Sequence, residues 1–247
     1  MDLASTVTLS RMDADMRAMD VTAENLANAG TPGYKAERMQ FTDWLARQPA
    51  IGTPRGEKAI AYAQDRATWR EQASGALSHS GNPLDLAISG DGYFTVGTPR
   101  GPRLTRDGRF GLLPNGTIGD AAGNPLLDVT GQPITVSVAD TVLTVAGDGT
   151  LSSENGQLAK IGVVQPADPN RITAEGGTLL RADAPTAPVQ QPKIVQGAVE
   201  ESNVQPIAEM TRMIETDRRF GFLAQFVQAE SDRQSSAIDK ILATQGA

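Results

Sequence analysis

Near the start of the chain the apolar side chains fall at Leu9, Met12, Met16, Met19, Ala23 and Leu26, in steps alternating between three and four residues. That spacing is a heptad seam, the narrow stripe of a coiled-coil-like helix rather than the broad face of a globular one. The charged residues Arg11, Asp13, Asp15, Arg17, Asp20 and Glu24 avoid it. The pattern predicts a helix over residues 3–28. Asn28 and Gly30 tolerate the left-handed backbone in which helices commonly stop. Thr31, Pro32, Gly33 and Tyr34 then place Pro and Gly in the order a type II turn prefers.

Residues 41–80 show no sustained period and carry Pro49, Gly52, Pro54, Gly56 and Gly75. They read as an extended connector with one strand near 59–63. From Asn82 to Val199 the pattern changes to short apolar runs at 86–88, 93–96, 134–138, 142–145, 161–164 and 194–199. Asp107-Gly108, Asn115-Gly116 and Asp148-Gly149 supply turn signals between them, so this stretch is an all-β domain of short strands and hairpins. Helical spacing returns near the end. Ser202 with Gln205 fits a capping box, and Pro206 is tolerated in a first turn. Ile207, Met210 and Ile214 form one stripe, which Phe220, Leu223, Val227, Ile238 and Ile241 continue after a phase slip. Gly221 lies near that slip, where a bend is expected. The fold class is α+β, divided as an N-terminal helix (1–34), a connector (35–81), an all-β domain (82–199) and a C-terminal helix (200–247).

Composition sharpens this picture. Aromatic residues make up 4% of the 247, and 25 glycines and 15 prolines accompany them, which is a loop-rich chain with little material for one dense globule. A net charge of −7 argues against nucleic acid and anionic membrane surfaces as partners. With no cysteine, thiolate catalysis, Cys-based zinc sites and disulfides are excluded together. No apolar run reaches membrane-spanning length, and the first residues lack the basic and apolar blocks of a cleaved signal peptide.

The end helices do not fit a simple globule. A helix of about 40 residues is ~60 Å long and the N-terminal one ~39 Å, while a β domain of about 115 residues has a radius of gyration near ~13 Å. Each seam residue left in water forgoes roughly 1.5–3 kcal/mol. Two arrangements satisfy the pattern: an antiparallel pair of core helices under the β domain, or helices whose excess stripe is covered by other subunits. The flexible methionines of the seam suit contacts that differ between neighbours.

Candidate chemistry is thin. His79 lies between Ser78 and Ser80, but a triad needs a held base and an oxyanion site; a solvent-facing loop histidine is the better reading. Glu200 and Glu201 would point to opposite faces of a strand and read as an acidic lead-in to the last helix. The Gly-Asp-Gly runs at 90–92 and 147–149 lack the other oxygen ligands of a calcium loop. Asn115-Gly116-Thr117 is first a hairpin turn. Tyr34 and Trp44 fit partner contacts and ordinary anchors equally. No catalytic, cofactor-binding or metal-binding residues are expected.

Four blocks carry a family likeness. Asn25-Leu26-Ala27-Asn28 followed by Thr31-Pro32-Gly33-Tyr34-Lys35 resembles the N-terminal signature of bacterial flagellar rod and hook proteins. Gly81-Asn82-Pro83-Leu84-Asp85-Leu86-Ala87-Ile88 and Gly90-Asp91-Gly92-Tyr93-Phe94 resemble its internal motif, and Thr105-Arg106-Asp107-Gly108-Arg109-Phe110 the hairpin that follows. Gly197 with Glu201-Ser202-Asn203-Val204, then Met213-Ile214 and Arg218-Arg219-Phe220, resembles the C-terminal signature. The order of the blocks makes the likeness specific. Phe220 stands where tyrosine is commoner, and Gly221 where the family has a better helix former. Residues 61–77 resemble the connector of proximal rod subunits, with the distal rod subunit as the alternative.

The resemblance implies a structural protein, not an enzyme. The two terminal helices would pair as an assembly domain near the axis of a hollow shaft, with the β domain outside. Its partners would be copies of itself, other rod proteins and the flagellar type III export apparatus, with neither nucleic acid nor membrane insertion. It would reside in the periplasmic rod of the basal body, exported without a cleaved signal. The stripe residues of both helices would then be intersubunit contacts. The rival of another class, a peptidoglycan-cleaving rod-associated enzyme, finds no acid–base constellation in these residues.

Overall fold

The computed structural model describes residues 3–48, 58–169 and 171–245, at backbone level for 3–4, 40–48, 58–67, 238 and 240–245. The chain forms two compact units. The first comprises Met1–Ala27, Glu37–Trp69 and Gln205–Ala247; the second comprises Asn28–Ala36 and Arg70–Val204.

In the first unit, α1 (Leu3–Ala27) and α2 (Pro206–Gln245) accompany two strands, β1 (Glu37–Gln48) and β2 (Lys58–Arg70), that pair as a two-stranded sheet. The stretch read as a mostly irregular connector therefore carries strands of 12 and 13 residues. Phe41, Thr42 and Trp44 in one, with Ile60, Tyr62 and Thr68 in the other, are β-favouring types that a search for strict alternation passes over. Pro49, Gly52, Pro54 and Gly56, on which the connector reading leaned, lie outside the described residues, as does the side chain of Trp44. The expected capping box is not formed. Helix α2 begins at Pro206, and Ser202 Oγ instead accepts the Val204 N–H at 3.2 Å. The helix runs on through Gly221 without a break.

The second unit is built from short strands. Its largest sheet has six, in the order Ile172–Ala174, Leu180–Ala182, Gly101–Thr105, Tyr93–Thr98, Val163–Pro166 and Thr186–Pro188. Alternation puts Phe94 and Val96 into the core, where Phe94 meets Phe110 edge to face at 5.4 Å. Leu86, Ile118, Leu126, Leu151 and Ile161 close around them. Asn115-Gly116 turns the chain between Gly111–Leu112 and Ile118–Gly119, with Gly116 at a φ of 79°. The run at 134–138, expected as a strand, makes only an isolated bridge from Thr135 to Thr117. Its alternation is nonetheless used, since Ile134 and Val136 are both buried.

Candidate assembly surface and motif junction

Two pairs of contacts set the register of α1 against α2. Asn25 Nδ2 lies 3.5 Å from Glu209 Oε2, and Arg219 lies 3.3 Å from Asp15 Oδ1. Ten residues back along one helix thus match ten forward along the other, so the pair is antiparallel. Extending that register sets the start of α1 beside Ser231. The described side chains beyond it, at 232–237 and 239, are all exposed.

The buried stripe of this pair is polar. On α1 it is Thr8, Asp15 and Thr22, seven residues apart, with Ala14 and Asn25. On α2 the heptad line runs through Glu209, Met213, Thr216, Phe220, Leu223, Val227 and Glu230, of which Glu209, Thr216 and Glu230 are buried and the rest half-buried. Glu209 is held by Arg38 and Arg212, each at 2.6 Å. Both ends of the Asn25 amide also bind the backbone of Glu37: Nδ2 donates to the carbonyl and Oδ1 accepts the N–H, both at 2.8 Å. That side chain acts as a strand partner where β1 starts. Asp15 has Arg11 and Arg219 at Oδ1, while its buried Oδ2 accepts no hydrogen bond. A cleft of about 260 Å³, lined by Asp15, Asn25, Arg38, Glu209, Arg212 and Arg219 among others, opens along this polar face.

The apolar seam faces elsewhere. Leu9 is 44% and Met16 51% exposed, Ala23 is exposed, and Met12, Met19 and Leu26 are half-buried. On α2, Ile207 (83%), Met210 (52%) and Ile214 (50%) are open to solvent, as are Phe222 and Phe226. The expected phase slip is absent. Ile207, Met210 and Ile214 lie on an outward stripe, and Phe220, Leu223 and Val227 on the inward one, so the two groups are separate lines of one regular helix. The side chains of Ile238 and Ile241 lie outside the described residues.

In the second unit, three distant segments meet. Tyr34, Ala36 and Val204 form a small buried cluster with Ala29. The turn before it is the expected type II: Tyr34 N–H reaches Thr31 O at 3.2 Å, with Gly33 at a φ of 68°. A side chain at Gly33 would also strike the Arg106 backbone, 2.2 Å from the Cβ position. Gly33 N–H donates to Glu200 O at 2.8 Å, and Asn203 accepts from Ala36 N–H while donating to the carbonyls of Glu71 and Ala73. Beneath this, the Glu200 carboxylate is fully buried and takes hydrogen bonds from Lys35, Arg106 and the Gly75 N–H. Burial pulls the Lys35 ammonium below its usual value, against the opposing effect of Glu200. Glu200 is thus no solvated lead-in to a helix: it is buried at the end of the strand Ala198–Glu200, and only Glu201, just past that strand, is exposed.

The model described as "Flagella basal body rod protein" matches residues 7–35, that of the "Flagellar hook protein FlgE/F/G D1 domain" 87–153, and that of the "Flagellar basal body rod FlgEFG protein C-terminal" 195–240. The flagellar basal-body rod protein FlgF of Caulobacter vibrioides is 36% identical over 98% of this chain and 98% of its own length. The chain belongs to the flagellar basal-body rod protein family. The FlgF proteins of Mesorhizobium japonicum (36% identical, 94% of this chain and 95% of the relative) and Rhizobium meliloti (31%, 95% and 96%) are also similar to it.

For a rod protein of this kind the signature residues now have physical work. Asn25, Asn28, Thr31, Gly33 and Tyr34 end α1 and shape the turn; Thr31 Oγ1 donates to Asn28 Oδ1 at 3.2 Å. Leu26 and Ala27 finish the helix. In the internal motif Asn82 caps its own turn, donating to Asp85 Oδ1 at 2.9 Å and accepting the Leu84 N–H, while Pro83 O accepts from Gln196. Gly81 N–H and Gly197 O close the neighbouring crossing at 3.2 Å. Ser202, Asn203 and Val204 complete the junction. Lys35, Arg106 and Glu200 were missed as a group because residues far apart in sequence meet there. The clue available was an Arg and a Lys inside two separate family motifs. His79 sits exposed on the short strand Leu77–His79 rather than in a loop. Among the described residues no helix is long and apolar enough to cross a membrane.

Proposed function

We propose that this chain is a structural subunit of the bacterial flagellar rod, in its proximal segment. It polymerises with its own copies and related rod proteins through α1 and α2, resides in the periplasmic shaft, and is exported by the flagellar type III apparatus. It performs no catalysis in this role. One observation carries the reading: the fully buried positions of the helix pair are mostly polar, while Leu9, Met16, Ile207, Met210, Ile214, Phe222 and Phe226 stay exposed. A stripe residue that becomes buried stabilises by roughly 1.5–3 kcal/mol, so several together favour a side-by-side assembly over an isolated molecule. The long overhang of α2 adds surface that α1 does not cover.

The names of the relatives support the proximal position. An epitope-labelled chain located by electron microscopy along isolated basal bodies tests it. Label at the inner-membrane end of the rod is expected. Label at the hook end would make the chain a distal subunit, and label absent from basal bodies would defeat the rod assignment.

A further inference from the structure

The proposal below rests on the reading that neighbouring subunits cover the helix pair. At 3.6 residues per turn, the cleft positions Ala18, Val21 and Thr22 of α1 lie roughly 140° around the helix from Met12, Met16 and Met19. On α2 the cleft positions Arg212, Glu215 and Arg219 lie a similar angle, roughly 140°, from Ile207, Met210 and Ile214. The pair therefore has a cleft side and an apolar side. A helical polymer is built from heterologous contacts, in which one surface of a subunit meets a different surface of the next.

The charges on the two sides are complementary. Four carboxylates line the cleft (Asp15, Glu37, Glu209 and Glu215) against three guanidiniums (Arg38, Arg212 and Arg219). Arg38 and Arg212 are committed to Glu209, and Arg219 to Asp15 Oδ1. Among the lining residues, Asp15 Oδ2 is buried without a hydrogen bond and Glu215 is exposed. The apolar side carries the matching group. Arg218 is exposed and continues the line of Ile207 and Ile214 by one further turn. Among the described arginines of α1 and α2 it alone lacks a carboxylate, since Arg11, Arg17, Arg212, Arg219 and Arg233 each pair with one.

We propose that Arg218 of one copy enters the cleft between α1, α2 and the start of β1 of the neighbouring copy, where exposed Glu215 receives its guanidinium and the buried Asp15 adds negative charge beneath it. The cleft, about 260 Å³, has room for the planar head. The ion pair fixes the register that an apolar stripe alone leaves free to slide.

The absence of native cysteine makes the contact open to trapping. Full-length chains carrying Ala18→Cys and Arg218→Cys are produced together in one cell, and basal bodies are isolated under mild oxidation. The expected result is a mixed disulfide dimer at least fivefold more abundant than either homodimer. Arg218→Glu is expected to lower incorporation about tenfold, and adding Glu215→Arg in the same chain to restore most of it. If both cysteine chains incorporate normally yet no mixed dimer forms, or Arg218→Cys links only to a different rod protein, this contact is wrong while the rod assignment stands. If the unaltered chain itself is missing from basal bodies, the underlying assignment fails instead.

Discussion

Changing Glu200 to glutamine is expected to remove about 3–5 kcal/mol of stability from the second unit, because it strips the counter-charge from a buried ammonium and guanidinium. Glu200, Lys35 and Arg106 are all at or below 5% exposure, so water cannot compensate the loss. Urea unfolding of the full-length chain measures the effect. The pH dependence gives a second signature. Burial already holds Lys35 below its ordinary 10.5. A base whose folded pKa is depressed sheds its proton first in the folded state, so stability rises with pH in the window beneath 10.5. Without Glu200 the folded value drops further and the window widens toward neutrality. The variant should therefore regain stability between neutral and alkaline pH more steeply than the parent. Parallel pH curves would show that Lys35 does not depend on Glu200.

The Met16→Asp variant is expected to fold normally and fail to assemble. Met16 is 51% exposed, and substitutions at such surface sites usually move stability by about 0.5 kcal/mol or less. Asp13 and Asp20, three and four residues away on the helix, add only a few tenths of a kcal/mol in repulsion. In the proposed assembly the same site becomes buried. Each contact made through it then loses roughly 1.5–3 kcal/mol, which weakens that contact about ten- to hundredfold before the cost of burying the carboxylate is added. Because every subunit repeats the fault, swimming should be abolished. Circular dichroism of the purified variant and its level in basal bodies separate the two effects. Normal incorporation would remove Met16 from the interface.

Much of this organisation could be read from residue order, and the rest has identifiable reasons for being hidden. The heptad spacing from Leu9 to Leu26 located α1, and Gly33 in its Pro-Gly turn located its exit. Spacing alone did not reveal which face of each helix turns inward. The buried stripe consists of Thr8, Asp15, Thr22 and Asn25 against Glu209 and Thr216, and polar residues leave no mark in a hydrophobic pattern. The same blindness produced the false phase slip on α2, where two apolar lines with different environments looked like one broken line. Glu200 was hidden for another reason. Its partners lie 165 and 94 residues away, so only the folded backbone brings them to it. Strand β1, and the length of β2 beyond the expected 59–63, escaped because their apolar residues are mixed with polar ones rather than alternating strictly.

On a single molecule Met16 lies open to solvent with Met12 and Met19 half-buried, and in the proposed shaft other subunits cover all three. Oxidative footprinting of Met12, Met16 and Met19 on the purified monomer and on isolated basal bodies measures this directly. Met16 is expected to oxidise as fast as an exposed methionine in the monomer, Met12 and Met19 somewhat more slowly, and all three to be strongly protected in the basal body. Equal protection of the seam in both samples would mean that one chain shelters its own stripe, contradicting the account.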